Sequence, residues 1–544
     1  MNAKRLSALV LVFASLLAAC APAATPTTIG QAPLPTQAPY EVVQTQVVEA
    51  PRSDFSAPTY APAATQAPAF NGAGGAPIAP PAYPTPAPTQ PVDMFFQQYG
   101  VNPFVDTYED HLSTFAIDVD TAAYSLARGY VQAGNLPPAE AVRVEEFVNY
   151  FQQGYANPPE VAFGLYADGA PSPYTNDGTV ILRFGVQGYQ VPDWERQPLN
   201  LTLVIDVSGS MADGDRLELV KQSVQMLVDR LRPADSVAVV AYSTEARVVL
   251  NPVNGAEHQT ILNAVYSLYP EASTNAEAGL QLGYQLAQGM YRREAVNRVI
   301  LLSDGVANVG ATGPNAILES IGWYAKEYGI TLTSVGVGMG NFNDVLLEQL
   351  ADRGDGNYAY IDDLDEARKL FVDDLVSTLQ VIALDAKIQV DFNSDVVARY
   401  RLIGYENRAV ADQNFRNDAV DAGEIGAGHT VTALYAVQLR PGAPGRIATL
   451  QMRWKDPQTY AVTEINGNVN TWDLAGRFED AAPRYQLAVT VAQYAELLRH
   501  SPWAAGSNLG QVSAYASRLA ALLPEDRDVQ EFAQLAYHAW QLGW

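Results

Sequence analysis

From residue 199 to about 380 the chain alternates short apolar runs with stretches of helical period, and that alternation leaves few folds open. Leu199, Leu201, Leu203, Val204 and Ile205 read as a buried strand. Ser236 to Tyr242, Arg298 to Ser303, Ile330 to Val337 and Tyr358 to Ile361 read as others, with Ala246 to Leu250 an antiparallel neighbour. Between them, Arg216 to Leu231 carries Leu217, Val220, Val224, Leu227 and Leu231 on one face, and further helices are expected at 257–267, 275–289, 314–328 and 342–352. Such alternation predicts an α/β domain at 199–380, doubly wound around a mostly parallel sheet of six strands. Ligands of such sheets sit in the loops after the strands' carboxyl ends.

The first strand ends in Asp206-Val-Ser-Gly-Ser210, one carboxylate and two hydroxyls at alternate positions. Three hard oxygen groups on one loop suit a hard divalent cation rather than zinc or copper, and the glycine is expected to let the loop curl. Thr274 stands at the start of a predicted helix, and Asp304 ends another apolar strand. D-x-S-x-S alone is weak, but with a helix-start Thr and a second strand-end Asp it becomes specific. The combination resembles the von Willebrand factor type A domain and its metal-ion-dependent adhesion site. That resemblance implies Asp206, Ser208, Ser210, Thr274 and Asp304 around Mg²⁺ or Mn²⁺; Ca²⁺ stands as the less favoured ion, because near-octahedral hydroxyl and water ligation leans towards the smaller ones. The resemblance also implies that the hydroxyls contact the ion directly, while an Asp or Glu carboxylate from a protein partner completes its shell. The competing reading makes the same residues strand-end caps in a domain that has lost its metal.

Residues 1–19 read as a processing segment: Lys4 and Arg5 precede an apolar stretch too short to span a bilayer comfortably. It ends in Leu17-Ala18-Ala19-Cys20, which resembles the lipobox of bacterial lipoproteins and implies a lipid anchor on Cys20, the chain's single cysteine. Residues 20–93 are rich in Pro, Ala and Thr, with 16 of the chain's 35 prolines between 21 and 91. They are expected to form a tether, ~200 Å if fully extended and ~50 Å as a flexible coil. The expected location is thus a membrane, facing outside the cytoplasm. A net charge of -26 argues against nucleic acid as a partner.

Residues 94–198 read as an α+β region, with Ser113 to Asp120 as strand, Thr121 to Ala133 as helix, and strands at 161–166 and 180–186. Residues 381–480 alternate with period two and predict a small antiparallel sandwich, and 481–544 a helical tail. Leu136-Pro-Pro, Val142-Arg-Val-Glu-Glu146 and the carboxyl-terminal region resemble those of a family of bacterial type A domain lipoproteins. Asp118 and Asp120 read as strand-edge or capping carboxylates rather than a second cation site. Arg353-Gly-Asp355 reads as a turn, not an adhesion tripeptide.

The five histidines are dispersed. No zinc, nucleophile-elbow or phosphate-loop motif appears. The chain is therefore expected to bind rather than catalyse. A scaffold role, with the metal only stapling loops, stands as the alternative.

Overall fold

A computed structural model of the chain describes residues 96–543, apart from 98, 118–119, 159–161, 193, 272, 306–313, 339–343, 419 and 421. The processing segment, the tether, Cys20 and Asp118 lie outside the described residues. Ahead of the central segment come β1 (Val105–Asp106), β2 (Leu112–Ala116), α1 (Ala122–Gln132), α2 (Val144–Asn149), β3 (Phe163–Pro171) and β4 (Thr179–Gly188). The central segment opens with β5 (Leu199–Asp206), α3 (Arg216–Val228), β6 (Ser236–Tyr242), β7 (Ala246–Asn254), α4 (His258–Tyr266) and α5 (Ala276–Gly289). It continues with β8 (Val296–Ser303), α6 (Pro314–Tyr328), β9 (Ile330–Val337), α7 (Asp344–Arg353), β10 (Tyr358–Ile361), α8 (Leu364–Arg368) and α9 (Leu375–Leu379). Then follow β11 (Val381–Phe392), β12 (Val397–Ile403), β13 (Ile425–Gly426), β14 (Thr430–Leu439), β15 (Arg446–Lys455) and β16 (Val462–Asn470). The last helices are α10 (Pro483–Leu498), α11 (Leu509–Leu522) and α12 (Arg527–Gln541).

The central sheet has six strands in the order β10-β9-β8-β5-β6-β7, with every neighbour parallel except β7. β5 is buried along its whole length because helices cover both its faces. Leu199, Leu201, Leu203 and Ile205 pack with Val220, Val224 and Leu227 of α3, whereas Val204 packs with Leu280 and Tyr284 of α5.

The flanking segments do not form the separate bodies that the sequence suggests. β4 lies between β14 and β3 in a sheet ordered β1-β12-β14-β4-β3, and β2 pairs with β11 in a second sheet containing β13, β15 and β16. The sandwich is thus built from strands on both sides of the central segment, not from 381–480 alone. Period-two alternation tells which face a side chain takes, but not which distant strand lies alongside. Val180, Leu182, Phe184 and Val186 of β4 meet Ile388, Val390, Leu450 and Met452 between the sheets. On the other face of β4 and β14, Ile181, Leu434 and Ala436 pack against a helical layer that includes Phe147, Tyr494 and Phe532. Helices α10 to α12 are therefore a third layer shared with α1 and α2, rather than an independent tail.

Helix α1 joins this body to the central segment. Ala122 and Leu126 pack with Tyr358 and Tyr360 of β10, while Tyr124 and Ala127 turn to the helical layer. Arg128, only 1% exposed, donates to Asp362 at 2.9 Å, Glu366 at 3.0 Å, Glu531 at 3.2 Å and the Tyr150 hydroxyl at 2.9 Å. Asp120 accepts from the Tyr358 amide at 2.9 Å and from Arg408 at 3.2 Å, which is a strand-edge role. At the base of the domain the Gln197 amide donates to Gln380 Oε1 at 3.2 Å, so the two connecting stems run side by side. Arg353-Gly-Asp355 leads from α7 into β10: Gly354 is buried, its carbonyl accepting from the Leu332 amide at 2.9 Å.

Candidate functional site

The carboxyl ends of β5, β6 and β8 lie side by side, because the sheet is parallel and these three are neighbours. Each contributes a polar group where its apolar run stops. Asp206, fully buried, accepts from the Ser208 amide at 2.8 Å through Oδ1. Its Oδ2 accepts from the Tyr242 hydroxyl of β6 at 3.0 Å and the Ser303 hydroxyl of β8 at 2.8 Å. Burial, reinforced by the charge of Asp304, pushes the Asp206 carboxyl up to about 6, against the hydrogen bonds from Ser208 and Ser303.

The hydroxyl oxygens of Ser208 and Ser210 stand 3.2 Å apart, and Ser210 Oγ donates to Asp304 Oδ1 at 3.0 Å. Arg216, at the first turn of α3, donates to Asp304 Oδ2 at 2.7 Å and to the Ser210 carbonyl at 3.1 Å. The loop curls at Gly209 without a positive φ there, bringing the two hydroxyls together, and the left-handed residues come later, at Gly214 and Asp215, both with φ of 58°. A 3₁₀ turn that opens at Gly209 and breaks at Asp213 and Gly214 carries the loop from Ser210 round to Arg216.

Thr274 is half-buried just ahead of α5, whose first turn is capped by Asn275 accepting from the Ala278 amide at 3.1 Å. Its loop is tied to the others: the Glu271 amide donates to the Val207 carbonyl at 2.6 Å. Among the described residues no hydrogen bond joins Thr274 itself to the cluster. Four of the five residues singled out by sequence therefore form one continuous network, and the fifth lies on an attached loop. Sequence reasoning missed Tyr242, Ser303 and Arg216. Two of these have a signal in hindsight, since Tyr242 ends β6 and Ser303 ends β8, the strands that flank β5.

The donor set is all hard oxygen. Neighbouring oxygens of an octahedral shell with metal–oxygen distances near 2.1 Å lie ~3.0 Å apart. The Ser208–Ser210 and Ser210–Asp304 spacings fit such edges, so these residues could hold a small divalent cation, with Arg216 competing for one oxygen of Asp304. Among the described residues no cluster of three or more His, Cys, Asp or Glu offers a different kind of metal site, and no helix is long and apolar enough to cross a membrane.

Residues 200–377 match the family model described as von Willebrand factor type A domain. Residues 90–182 match one described as von Willebrand factor, and 377–542 the C-terminal region of the uncharacterized protein YfbK. The chain is 34% identical over 450 residues to YfbK of Escherichia coli (strain K12), covering 78% of this chain and 77% of that protein. The chain belongs to the YfbK family. YfbK thus shares the flanking segments as well as the type A domain. The uncharacterized protein sll0103 of Synechocystis sp. is 34% identical over 191 residues, 35% of this chain and 44% of that protein. Among solved structures, the von Willebrand factor type A protein from Catenulispora acidiphila superposes with a TM-score of 0.38 at 17% identity, covering 59% of this chain and 75% of that one.

Proposed function

We propose that this member of the YfbK family is a lipid-anchored binding protein facing outside the cytoplasm, which captures a protein partner through Mg²⁺ or Mn²⁺ at the carboxyl end of its central sheet. In this reading Ser208, Ser210 and Thr274 hold the ion, while Asp206 and Asp304 orient the hydroxyls through hydrogen bonds and water. The bound cation would offer an open coordination position to an Asp or Glu of the partner. The observation that carries the reading is the oxygen network from Asp206 through Ser208 and Ser210 to Asp304, spaced as the edge of such a shell. The anchor rests on Leu17-Ala18-Ala19-Cys20.

Crosslinking on intact cells with and without a chelator tests it. Chelation should remove the captured partner, and Asp206→Ala or Ser208→Ala should copy that loss while the protein stays folded. Full-strength capture by Asp206→Ala would sink the adhesion mechanism.

A scaffold reading has one observation of its own. Protein groups already satisfy much of the cluster, with Tyr242 and Ser303 on Asp206 and Arg216 on Asp304. A rise in melting temperature on adding Mg²⁺, with no partner lost on chelation, would favour it.

A further inference from the structure

Three loops frame the candidate cation site, and hydrogen bonds fix them to one another. The Glu271 amide donates to the Val207 carbonyl at 2.6 Å, and the Ser243 hydroxyl donates to Glu271 Oε2 at 2.5 Å. The Val207 amide in turn donates to the Tyr242 carbonyl at 2.9 Å. The frame is therefore set before anything docks on it, which lowers the cost of binding. Gly209 and Ser273 are exposed while Ser210 and Thr274 are half-buried, so the site opens to solvent between these loops.

The charges of this frame do not balance. Asp213 and Asp215 follow Ser210 on the first loop, Glu245 lies on the second and Glu271 on the third. The bases of the same loops are both engaged, Arg216 on Asp304 at 2.7 Å and Arg247 on Glu271 at 2.8 Å. Asp213, Asp215 and Glu245 are exposed, and among the described residues no Lys or Arg pairs with them. With Asp206 and Asp304 included, the carboxylates outnumber the bases by more than one divalent cation cancels. Tyr269, 64% exposed, stands two residues before Glu271 and adds a ring of the kind that anchors protein interfaces.

We propose, resting on the cation-dependent reading above, that the partner is a basic protein surface whose metal-directed Asp or Glu sits among Lys and Arg side chains. A carboxylate on an acidic surface would be drawn by the cation and turned away by the rim. Flanking cations remove that conflict. Exposed charges of this kind act on the rate of approach and on the choice of partner, and the chain's net charge of -26 extends the same field. Nucleic acid and anionic lipid carry the wrong sign for this rim.

The test uses the full-length chain and three labelled peptides read by fluorescence anisotropy: Lys-Lys-Gly-Asp-Gly-Lys-Lys, the same peptide with Ser for every Lys, and the first with Asn for Asp. A melting-temperature rise on adding Mg²⁺ alone, measured first, reports on the cation by itself. In Mg²⁺ at low salt the basic Asp peptide should bind roughly tenfold more tightly than the Ser peptide, and the gap should close at high salt. Asp213→Asn, Asp215→Asn and Glu245→Gln combined, all at exposed positions, should erase that preference. Equal binding of the Lys and Ser peptides, or a preference that survives the triple variant, would overturn the inference and leave the cation reading standing. Binding of the basic peptide that ignores both the chelator and the Asn exchange would overturn the cation reading, and this inference with it. No binding of any peptide at millimolar concentration, in a chain that Mg²⁺ stabilises, would overturn the inference alone.

Discussion

At Asp304 a hydroxyl and a guanidinium share one carboxylate, Ser210 on Oδ1 and Arg216 on Oδ2. The Asp304 side chain is 3% exposed, so removal of Arg216 strands a buried charge. Arg216→Leu should therefore cost about 3 kcal/mol in urea unfolding without metal. The loss should shrink in saturating Mg²⁺, because without Arg216 competing for Asp304 the variant binds the ion more tightly and gains more stability from it than the parent chain does. Equal losses in both buffers would mean that the cation does not reach Asp304. A second residue-scale prediction concerns His429, which burial lowers from 6.5 to about 4. Between those values the unfolded imidazole takes up a proton that the folded one refuses. The unfolded state binds more protons there, so stability is lost as pH falls through that window. Between pH 7 and 4.5 the melting temperature of His429→Gln should fall less than that of the parent chain. Side-chain identity made the site legible at this scale, since carboxylates and hydroxyls at strand ends are visible in sequence. Arg216 was not, because a basic residue opening a helix reads as an ordinary solvated one.

Helix α5 shows how an element is shaped by what it must approach. Gly279 and Gly283 weaken it as an isolated helix, yet they let it lie close against the sheet. A Cβ on Gly279 would stand 2.6 Å from the Tyr242 ring, and one on Gly283 2.5 Å from Val204 Cγ2. Gly279→Ala should cost about 1–3 kcal/mol and disturb the Tyr242 hydroxyl that serves Asp206. Gly289→Ala, at the open end of the same helix with nothing within 4 Å, should be neutral or stabilise by up to ~1 kcal/mol. Denaturant midpoints of the two variants check this. Most central elements were legible, the observed α4 to α7 falling within a few residues of expectation. Local period and length suffice where a strand is followed at once by the helix that covers it. β4 was legible as a strand but not as the two-faced interior strand that it is. Its alternate residues face the other way: Ile181 packs in the cluster of the helical layer, and Arg183 lies between the rings of Tyr155 and of Tyr485 on α10, far along the chain.

Across the whole molecule the pairing of β4 with β14, of β1 with β12 and of β2 with β11 closes a body around the two ends of an inserted domain. No local pattern announces pairings between strands some 250 residues apart, such as Val186 with Val431. Arg128 connects three parts of that assembly, α1, the end of β10 and α12. Arg128→Leu leaves Asp362 and Glu366 buried without their cation and should cost about 3–5 kcal/mol. Limited proteolysis should then separate the central domain from the rest at protease levels that leave the parent chain intact.

The side-by-side stems at Gln197 and Gln380 have a mechanical corollary. Tension applied at the rim of the central sheet reaches the surrounding body through two adjacent stems and through the face that Ala122, Leu126 and Arg128 of α1 present to the end of β10. Unravelling the guest would therefore also uncover Ala122 and Leu126 of α1, so load on the domain is felt in the body that carries it.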